Sequence, residues 1–350
     1  MRGALPGFRG VLGERALFDL AARADVESRL VERRGARWKV SEGPFGRGRP
    51  ARAAGRDWTL LVSGVNHHCA AAERLLRRFA FVPEARLDDL MVSYAAPGGG
   101  VGPHFDSYDV FLVQGPGRRV WRLARARPWR LVPGAPLRLI AGFSPEEELL
   151  LEPGDLLYLP PGWGHDGVAL EPAFTCSVGF RAPRGEELGA AFLDYLHERG
   201  LPAAAYRDPG LAPSARRGAI GDGLARFAAR TLARIRWGRA DVERFLGRYL
   251  TTPKPQVVFA RRAAGRAPPL ARREAVLDAR TRMLYRGRRV FVNGEAIELR
   301  AAQRAALRRL ADRRRAPGQS LARAGLAALV YAWWRDGALR LERATATHER

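Results

Sequence analysis

Gly98-Gly99-Gly100-Val101-Gly102-Pro103-His104-Phe105-Asp106 and, further on, Gly154-Asp155-Leu156-Leu157-Tyr158-Leu159-Pro160-Pro161-Gly162-Trp163-Gly164-His165 decide how this chain is read. In an extended strand residues i and i+2 point to the same side, so His104 and Asp106 can grip one ion together. The second stretch is a run of four apolar residues, then a Pro-Pro-Gly turn that presents His165. Two imidazoles and one carboxylate occupy a single face of an octahedron and leave the other positions open. That suits non-haem iron(II), which must also bind a cosubstrate and dioxygen, whereas structural zinc prefers a closed shell of four ligands. Alone, a His-x-Asp is more often a solvated histidine beside a turn aspartate. The second stretch, Gly-x5-Pro-x-Gly-x2-His, shifts that balance.

Around these stretches short β-like runs dominate: Leu90 to Ala95, Val110 to Gln114, Arg119 to Leu123, Leu137 to Ile140, Leu149 to Leu151, Leu156 to Leu159 and Phe174 to Phe180. Short strands at this density, separated by Pro/Gly turns, argue for a barrel. Before them come a helix-like stretch near Leu17 to Leu30, strand-like runs at Arg37 to Val40 and Trp58 to Val62, and a loop from Gly43 to Gly55 rich in Gly, Arg and Pro. After Arg181-Ala182-Pro183 the period becomes helical: Glu186 to Arg199 and Leu224 to Tyr249 read as helices, with apolar Leu224, Phe227, Leu232 and Ile235 on one stripe. Such a stripe is usually core, though helices standing outside a barrel often bury an apolar face on a second copy. Thr251-Thr252-Pro253-Lys254-Pro255 reads as a linker. Beyond it, Met283 to Tyr285 and Arg289 to Val292 form a hairpin-like pair around Arg286-Gly287-Arg288, as in a small winged helix.

The expected architecture is therefore α+β: residues 1–183 as the barrel domain with its core at about 88–183, residues 184–253 as a helical dimerisation region, and residues 256–350 as a basic winged-helix-like domain. A chain of 350 residues with 47% hydrophobic content supports several cores. Two cysteines, Cys69 and Cys176, no apolar leader and no bilayer-length apolar run offer nothing to a disulfide framework, secretion or membrane insertion. The expectation is a cytoplasmic protein.

The formal charge is +24, yet lysine occurs only at Lys39 and Lys254. Nearly all the positive charge is arginine in an Ala-rich chain, a pattern that biased codon usage also produces. Its distribution is uneven: residues 1–180 carry 24 basic against 20 acidic residues, and residues 181–350 carry 36 against 16. The basic half suits a phosphate backbone or a partner bound to one; a solvated Arg-rich helical surface explains it equally well.

The return-strand pattern ending in His165 is that of cupin barrels, and the likeness extends further. Asp25 to Val31, Asp88-Asp89-Leu90-Met91, Tyr108-Asp109-Val110-Phe111, Gln114 to Arg119 and Val178 to Pro183 all resemble the jumonji-C, cupin-type ribosomal oxygenases. In particular they resemble the bacterial arginine hydroxylases of large-subunit ribosomal protein L-sixteen, over about the first 185 residues. The resemblance implies a double-stranded β-helix and a reaction that uses Fe(II), 2-oxoglutarate and dioxygen, hydroxylating an arginine at C3 and releasing succinate and carbon dioxide. Residue by residue it implies His104, Asp106 and His165 as metal ligands, and Ser93 and Arg119 on the distal carboxylate of 2-oxoglutarate. It implies Asp89 on the substrate guanidinium, Met91 and Tyr108 beside its aliphatic stem, and Ser177 as a polar contact. Strand parity agrees: Asp89, Met91 and Ser93 share one face, as do His104, Asp106 and Tyr108. Each also has an ordinary explanation: Arg119 as a strand arginine in an ion pair, Asp89 as a loop cap, Met91 as core, Tyr108 as a rim aromatic, Ser177 as a satisfied hydroxyl.

Gly98 to Gly102 lacks the Gly-Lys-Ser/Thr of a phosphate loop and reads as a loop that lets backbone approach substrate closely. His67-His68 reads as a turn or core pair. Three functions stay open at this point: an arginyl hydroxylase acting on ribosomal protein L-sixteen, with ribosomal RNA met through the basic half and a homodimer through the helices; an oxygenase of the same fold acting as histidyl hydroxylase or lysyl demethylase; and a non-catalytic nucleic-acid-binding module.

Overall fold

The computed structural model describes residues 1–46, 55, 57–212, 216–263 and 267–343. Helix α1 (Glu14–Ala21) precedes strands β1 (Ser28–Arg34), β2 (Arg37–Glu42) and β3 (Trp58–Val62), followed by helix α2 (Ala70–Arg77). Strands β4 (Leu87–Ala95), β5 (His104–Phe105), β6 (Val110–Gln114), β7 (Arg119–Ala124), β8 (Glu147–Leu151), β9 (Leu156–Leu159), β10 (Gly164–Ala169) and β11 (Ala173–Phe180) follow. They form two antiparallel sheets, a seven-stranded one ordered β2-β1-β3-β4-β11-β6-β9 and a four-stranded one ordered β5-β10-β7-β8.

Period-two alternation explains both the core and the pocket. On β4, Leu90, Val92 and Tyr94 pack into the main apolar cluster with Leu17 of α1 and Leu75 and Leu76 of α2. Their neighbours Asp89, Met91 and Ser93 face a cavity on the other side of the sheet. The same split separates Cys176 and Val178 from Thr175 and Ser177 on β11, and Leu60 and Val62 from Thr59 and Leu61 on β3. One face of the sheet is thus apolar ballast and the other is chemical, as the alternation of a half-buried strand requires.

Several elements differ from expectation. The helix near Leu17 to Leu30 ends at Ala21, and Leu30 lies in β1, which pairs on both sides with β2 and β3; that two-sided ladder outweighs local helix propensity. Leu137 to Ile140 is irregular, with one isolated bridge from Leu131 to Ile140. Pro133 and Pro136 supply no ladder donors there. Leu224 to Tyr249 is two helices, α4 (Asp222–Leu232) and α5 (Arg239–Thr251), after α3 (Gly185–Glu198). The break falls at Gly238, whose N–H donates to the Asp241 carboxylate at 2.9 Å, restarting the helix. Of the loop expected from Gly43 to Gly55, residues 47–54 and 56 lie outside the described residues.

Beyond α5 come β12 (Arg273–Leu277), β13 (Met283–Arg286), β14 (Arg289–Val292), β15 (Glu295–Glu298), α6 (Ala301–Arg313), β16 (Arg315–Pro317), α7 (Gly318–Arg323), α8 (Ala327–Arg335) and β17 (Leu339–Arg343). By packing, the chain divides into two units. One comprises Met1–Ala182, Pro253–Thr281 and Ala302–Arg350; the other comprises Pro183–Thr252 and Arg282–Ala301. The expected division at 183 falls within a residue of a unit boundary, while the expected 256–350 segment is shared between the two. The reason is that the β13-β14-β15 sheet packs on α5, where Phe291 sits against Gly247. In the other unit, Arg314 of the α6–β16 turn reaches Glu73 of α2 at 3.6 Å.

The glycine run, expected as a loop, also packs closely on strand backbone. A Cβ on Gly99 would lie 2.2 Å from the Trp58 carbonyl oxygen, and one on Gly100 2.6 Å from that of Gly167. The loop lies against β3 and β10 themselves. Gly99→Ala is therefore expected to cost about 1–3 kcal/mol of stability through forced backbone shifts, read as a lower unfolding midpoint. An unchanged midpoint would contradict this packing.

Candidate metal and cosubstrate centre

His104 and His165 stand directly opposite each other in the β5–β10 pair, with ring centroids 4.2 Å apart. Each anchors its ring through Nδ1, His104 to the Gly102 carbonyl at 2.8 Å and His165 to the Trp163 carbonyl at 3.0 Å. A carbonyl only accepts, so Nδ1 carries the hydrogen and Nε2 presents its lone pair, the usual arrangement behind a metal-bound imidazole. Asp106 follows β5, and its Oδ2 lies 3.7 Å from His165 Nε2. Its backbone carbonyl accepts the Gly162 N–H at 2.7 Å, so the Pro-Pro-Gly turn of the second motif locks onto the first. One ligand atom from each of the three residues falls within 4.8 Å of the others. Burial, with the charge of His104 added, pushes His165 down to about 3, so it is a neutral ligand at physiological pH. Burial moves Asp106 the other way, upward, against the attraction of His104 and an interaction with the Tyr108 hydroxyl.

A cavity of about 510 Å³ opens in front of the three ligands. Ser93 and Arg119 line it, and so do Asp89, Met91, Tyr108 and Ser177. The nine candidate site residues named from the resemblance thus reach one space. Met91 and Ser177 are direct partners across β4 and β11. Arg119, first residue of β7, is buried, and burial lowers it to about 10 despite the attraction of Asp166. Its Nε and Nη2 have no hydrogen-bond partner among the described residues. Arg118 faces the other way, in an exposed ion pair with Glu171 at 3.0 Å.

These observations fit the implied group. A buried guanidinium with unmet donors costs at least about 1–3 kcal/mol per orphaned group, which a carboxylate in the cavity would offset through charge-assisted bonds. The donor set, two imidazoles and a carboxylate on one side of an open cavity, fits iron(II).

Among the lining residues that sequence reasoning missed, Trp121 and Lys254 carry polar groups into the cavity. Trp121, on the same face of β7 as Arg119, is buried and its Nε1 has no partner among the described residues. Lys254, read as part of a linker, sends its ammonium into the cavity, 3.0 Å from Asp88 Oδ2 and 3.3 Å from Asp89 Oδ2. The signal for it was compositional: one of only two lysines in a chain whose other cations are arginine.

A JmjC domain family profile matches residues 74–188, and a ROXA-like winged helix profile matches residues 234–340. The Escherichia coli (strain K12) protein named ribosomal protein uL16 3-hydroxylase is 44% identical over 202 residues, covering 57% of this chain and 53% of that protein. A probable ribosomal oxygenase of Haemophilus influenzae is 35% identical over 188 residues, covering 52% and 46%. The match thus spans about half the length of these two curated relatives. A solved structure of YcfD, a ribosomal oxygenase from E. coli in complex with cobalt and 2-oxoglutarate, superposes with a TM-score of 0.80 at 32% identity, covering 98% of this chain and 94% of that one. None of the described helices is long and apolar enough to cross a membrane. With the JmjC core, the winged helix and this likeness along nearly the whole of a solved chain, the protein belongs to the JmjC ribosomal oxygenase family.

Proposed function

We propose that this protein is an Fe(II)- and 2-oxoglutarate-dependent hydroxylase that adds one hydroxyl group at C3 of an arginine in large-subunit ribosomal protein L-sixteen (uL16). The observation that carries the reading is the sharing of one cavity by His104, Asp106 and His165, the buried guanidinium of Arg119, whose Nε and Nη2 have no partner among the described residues, and the acidic pair Asp88 and Asp89. His104, Asp106 and His165 would hold iron(II), which with 2-oxoglutarate and dioxygen supplies oxidation of an unactivated C–H bond, succinate and carbon dioxide being the co-products. Arg119 and Ser93 would take the distal carboxylate of the cosubstrate. Asp89 would accept the substrate guanidinium, with Met91 and Tyr108 flanking the aliphatic stem and Ser177 adding a hydroxyl. Carboxylates favour a guanidinium over a neutral imidazole, which argues against histidyl hydroxylation. Lysyl demethylation stays chemically compatible with them and is separated by experiment.

Incubating the protein with Fe(II), 2-oxoglutarate, air and an arginine-containing uL16 peptide is expected to add one oxygen to arginine, read by fragment mass spectrometry. Succinate without peptide oxidation would keep the oxygenase and reject the substrate. Neither product would favour a non-catalytic binding module.

The finer parts of the reading are a cytoplasmic homodimer that meets ribosomal RNA. Exposed Leu193 on α3 and Leu224 and Leu232 on α4 support the dimer, and exposed Arg309, Arg313 and Arg323 support phosphate contact. Truncation at residue 256 is a poor test, because residues 302–343 pack in the same unit as the barrel. Replacing Arg309, Arg313 and Arg323 together by Gln is expected to raise KM for uL16 on ribosomal precursor particles several-fold and leave KM for a short peptide unchanged. Equal effects on both would oppose a docking role.

A further inference from the structure

Lys254 enters the cavity from outside the barrel, on a short strap whose course is fixed. Pro253 and Pro255 restrict the backbone on either side, and the Val257 N–H closes a turn onto the Lys254 carbonyl at 2.9 Å. The Gln256 amide donates to Glu27 at 3.2 Å, and Arg280 donates to the Val258 carbonyl at 2.7 Å. The ammonium at the end of this strap bridges two adjacent carboxylates, Asp88 at 3.0 Å and Asp89 at 3.3 Å. Asp88 has a second cation, Arg181, whose Nε donates to its other oxygen at 3.1 Å. Asp89 has no such second cation among the described residues, and its Oδ1 accepts no hydrogen bond among them.

We propose that Lys254 is a specificity-determining residue of the substrate pocket, a resident cation that holds Asp89 as an oriented carboxylate with one oxygen left for the incoming guanidinium. The inference deepens the functional reading above and rests on it. An ammonium is a compact point charge and can touch both carboxylates without filling the pocket, whereas an arginine fork here would compete for the seat the substrate needs. Lysine at this position, in a chain that otherwise uses arginine almost throughout, fits that requirement.

The electrostatic need for Lys254 follows from what surrounds Asp89. Burial raises Asp89 above the usual carboxylate range, Lys254 opposes the rise, and Asp88 and Glu27 add to it. Arg181 acts on it through Asp88, the Tyr108 hydroxyl faces both aspartates, and Asp25, His67, His68 and Arg280 line the small neighbouring hollow that Asp89 and Lys254 share. Without Lys254 the nearest cation is gone, the proton stays on Asp89 to higher pH, and a neutral carboxyl no longer attracts a guanidinium.

The test measures arginine oxidation of the uL16 peptide from pH 6.5 to 8.5 for the native protein, Lys254→Met and Lys254→Gln, all metal-loaded. Both variants are expected to raise peptide KM at pH 7, about tenfold for each unit by which Asp89 moves, with kcat and the KM for 2-oxoglutarate little changed. The defect is expected to shrink as pH rises and Asp89 ionises, a reversal that a merely structural role would not give. Lys254→Gln keeps hydrogen bonding to both aspartates without the charge, so it reports on charge even where Lys254→Met fails to fold. Unchanged peptide KM, or a defect of the same size at every pH, overturns the inference while leaving the functional reading intact. Absence of peptide oxidation by the native protein overturns both.

Discussion

Asp106→Ala is expected to abolish arginine oxidation, with activity falling more than about a hundredfold, since loss of even an outer-shell partner of a metal ligand typically costs 10- to 100-fold. The substitution removes the single carboxylate of the ligand set and leaves the two imidazoles in register across β5 and β10. Two neutral ligands bind a hard divalent ion far more weakly than two plus a charge. The fold should survive, because the contact that ties the two motifs together uses the Asp106 backbone carbonyl. The sign of the stability effect can be worked out. Burial raises Asp106 above its unfolded value, so the unfolded chain gives up this proton at lower pH than the native one, and at neutral pH the ionised side chain costs the metal-free fold stability. Alanine removes that cost. The metal-free variant is therefore expected to unfold no earlier than the native protein at pH 7, while losing both the stabilisation conferred by added Fe(II) or Co(II) and the oxygen on the peptide. An active variant would sink the metal assignment.

The site was legible in the sequence to an unusual extent, and strand periodicity is the reason. Once His104 and Asp106 are placed on a strand, i, i+2 parity puts both on one side. The same rule applied to Asp89, Met91 and Ser93 selects the row that lines the cavity. Local pattern carries this information because each row belongs to a single strand. Lys254 stood out only as one of two lysines, and its place was not legible for the complementary reason: it lies 165 positions from Asp89, and proline-rich flanks signal a turn without saying what the turn packs against. The donors of Arg119 and Trp121 that have no partner among the described residues were hidden as well, since neither the lack of a partner nor burial can be read from strand parity. Leu137 to Ile140 has strand-like composition but lacks a ladder. The glycine run reads as a loop from sequence, but its packing does not, because only coordinates reveal that Trp58 and Gly167 occupy the space where Cβ atoms would be.

Arg119→Met should be nearly as damaging as loss of a metal ligand, and on a different parameter. The native guanidinium is buried, charged and unpaired at Nε and Nη2 among the described residues, a costly arrangement that makes sense when an anion completes it. Methionine fills similar volume without charge or donors. Truncating one partner of a buried, hydrogen-bonded charge pair costs about 2–5 kcal/mol, so the KM for 2-oxoglutarate is expected to rise at least about thirtyfold. Arg119→Lys should recover only part of this, because an ammonium restores the charge and not the planar fork. Stability should move in the opposite direction. With the unmet Arg119 donors gone from the wall of the cavity, the cosubstrate-free variant is expected to unfold at a higher temperature than the native protein. It should also lose the further rise that 2-oxoglutarate gives the native, metal-loaded form through mass action. The two measurements separate a binding role from a structural one: a structural arginine would lower the midpoint when removed and leave the cosubstrate dependence alone. An unchanged KM for 2-oxoglutarate would return Arg119 to the status of an ordinary strand residue and remove the strongest argument that this cavity is built for a dicarboxylate.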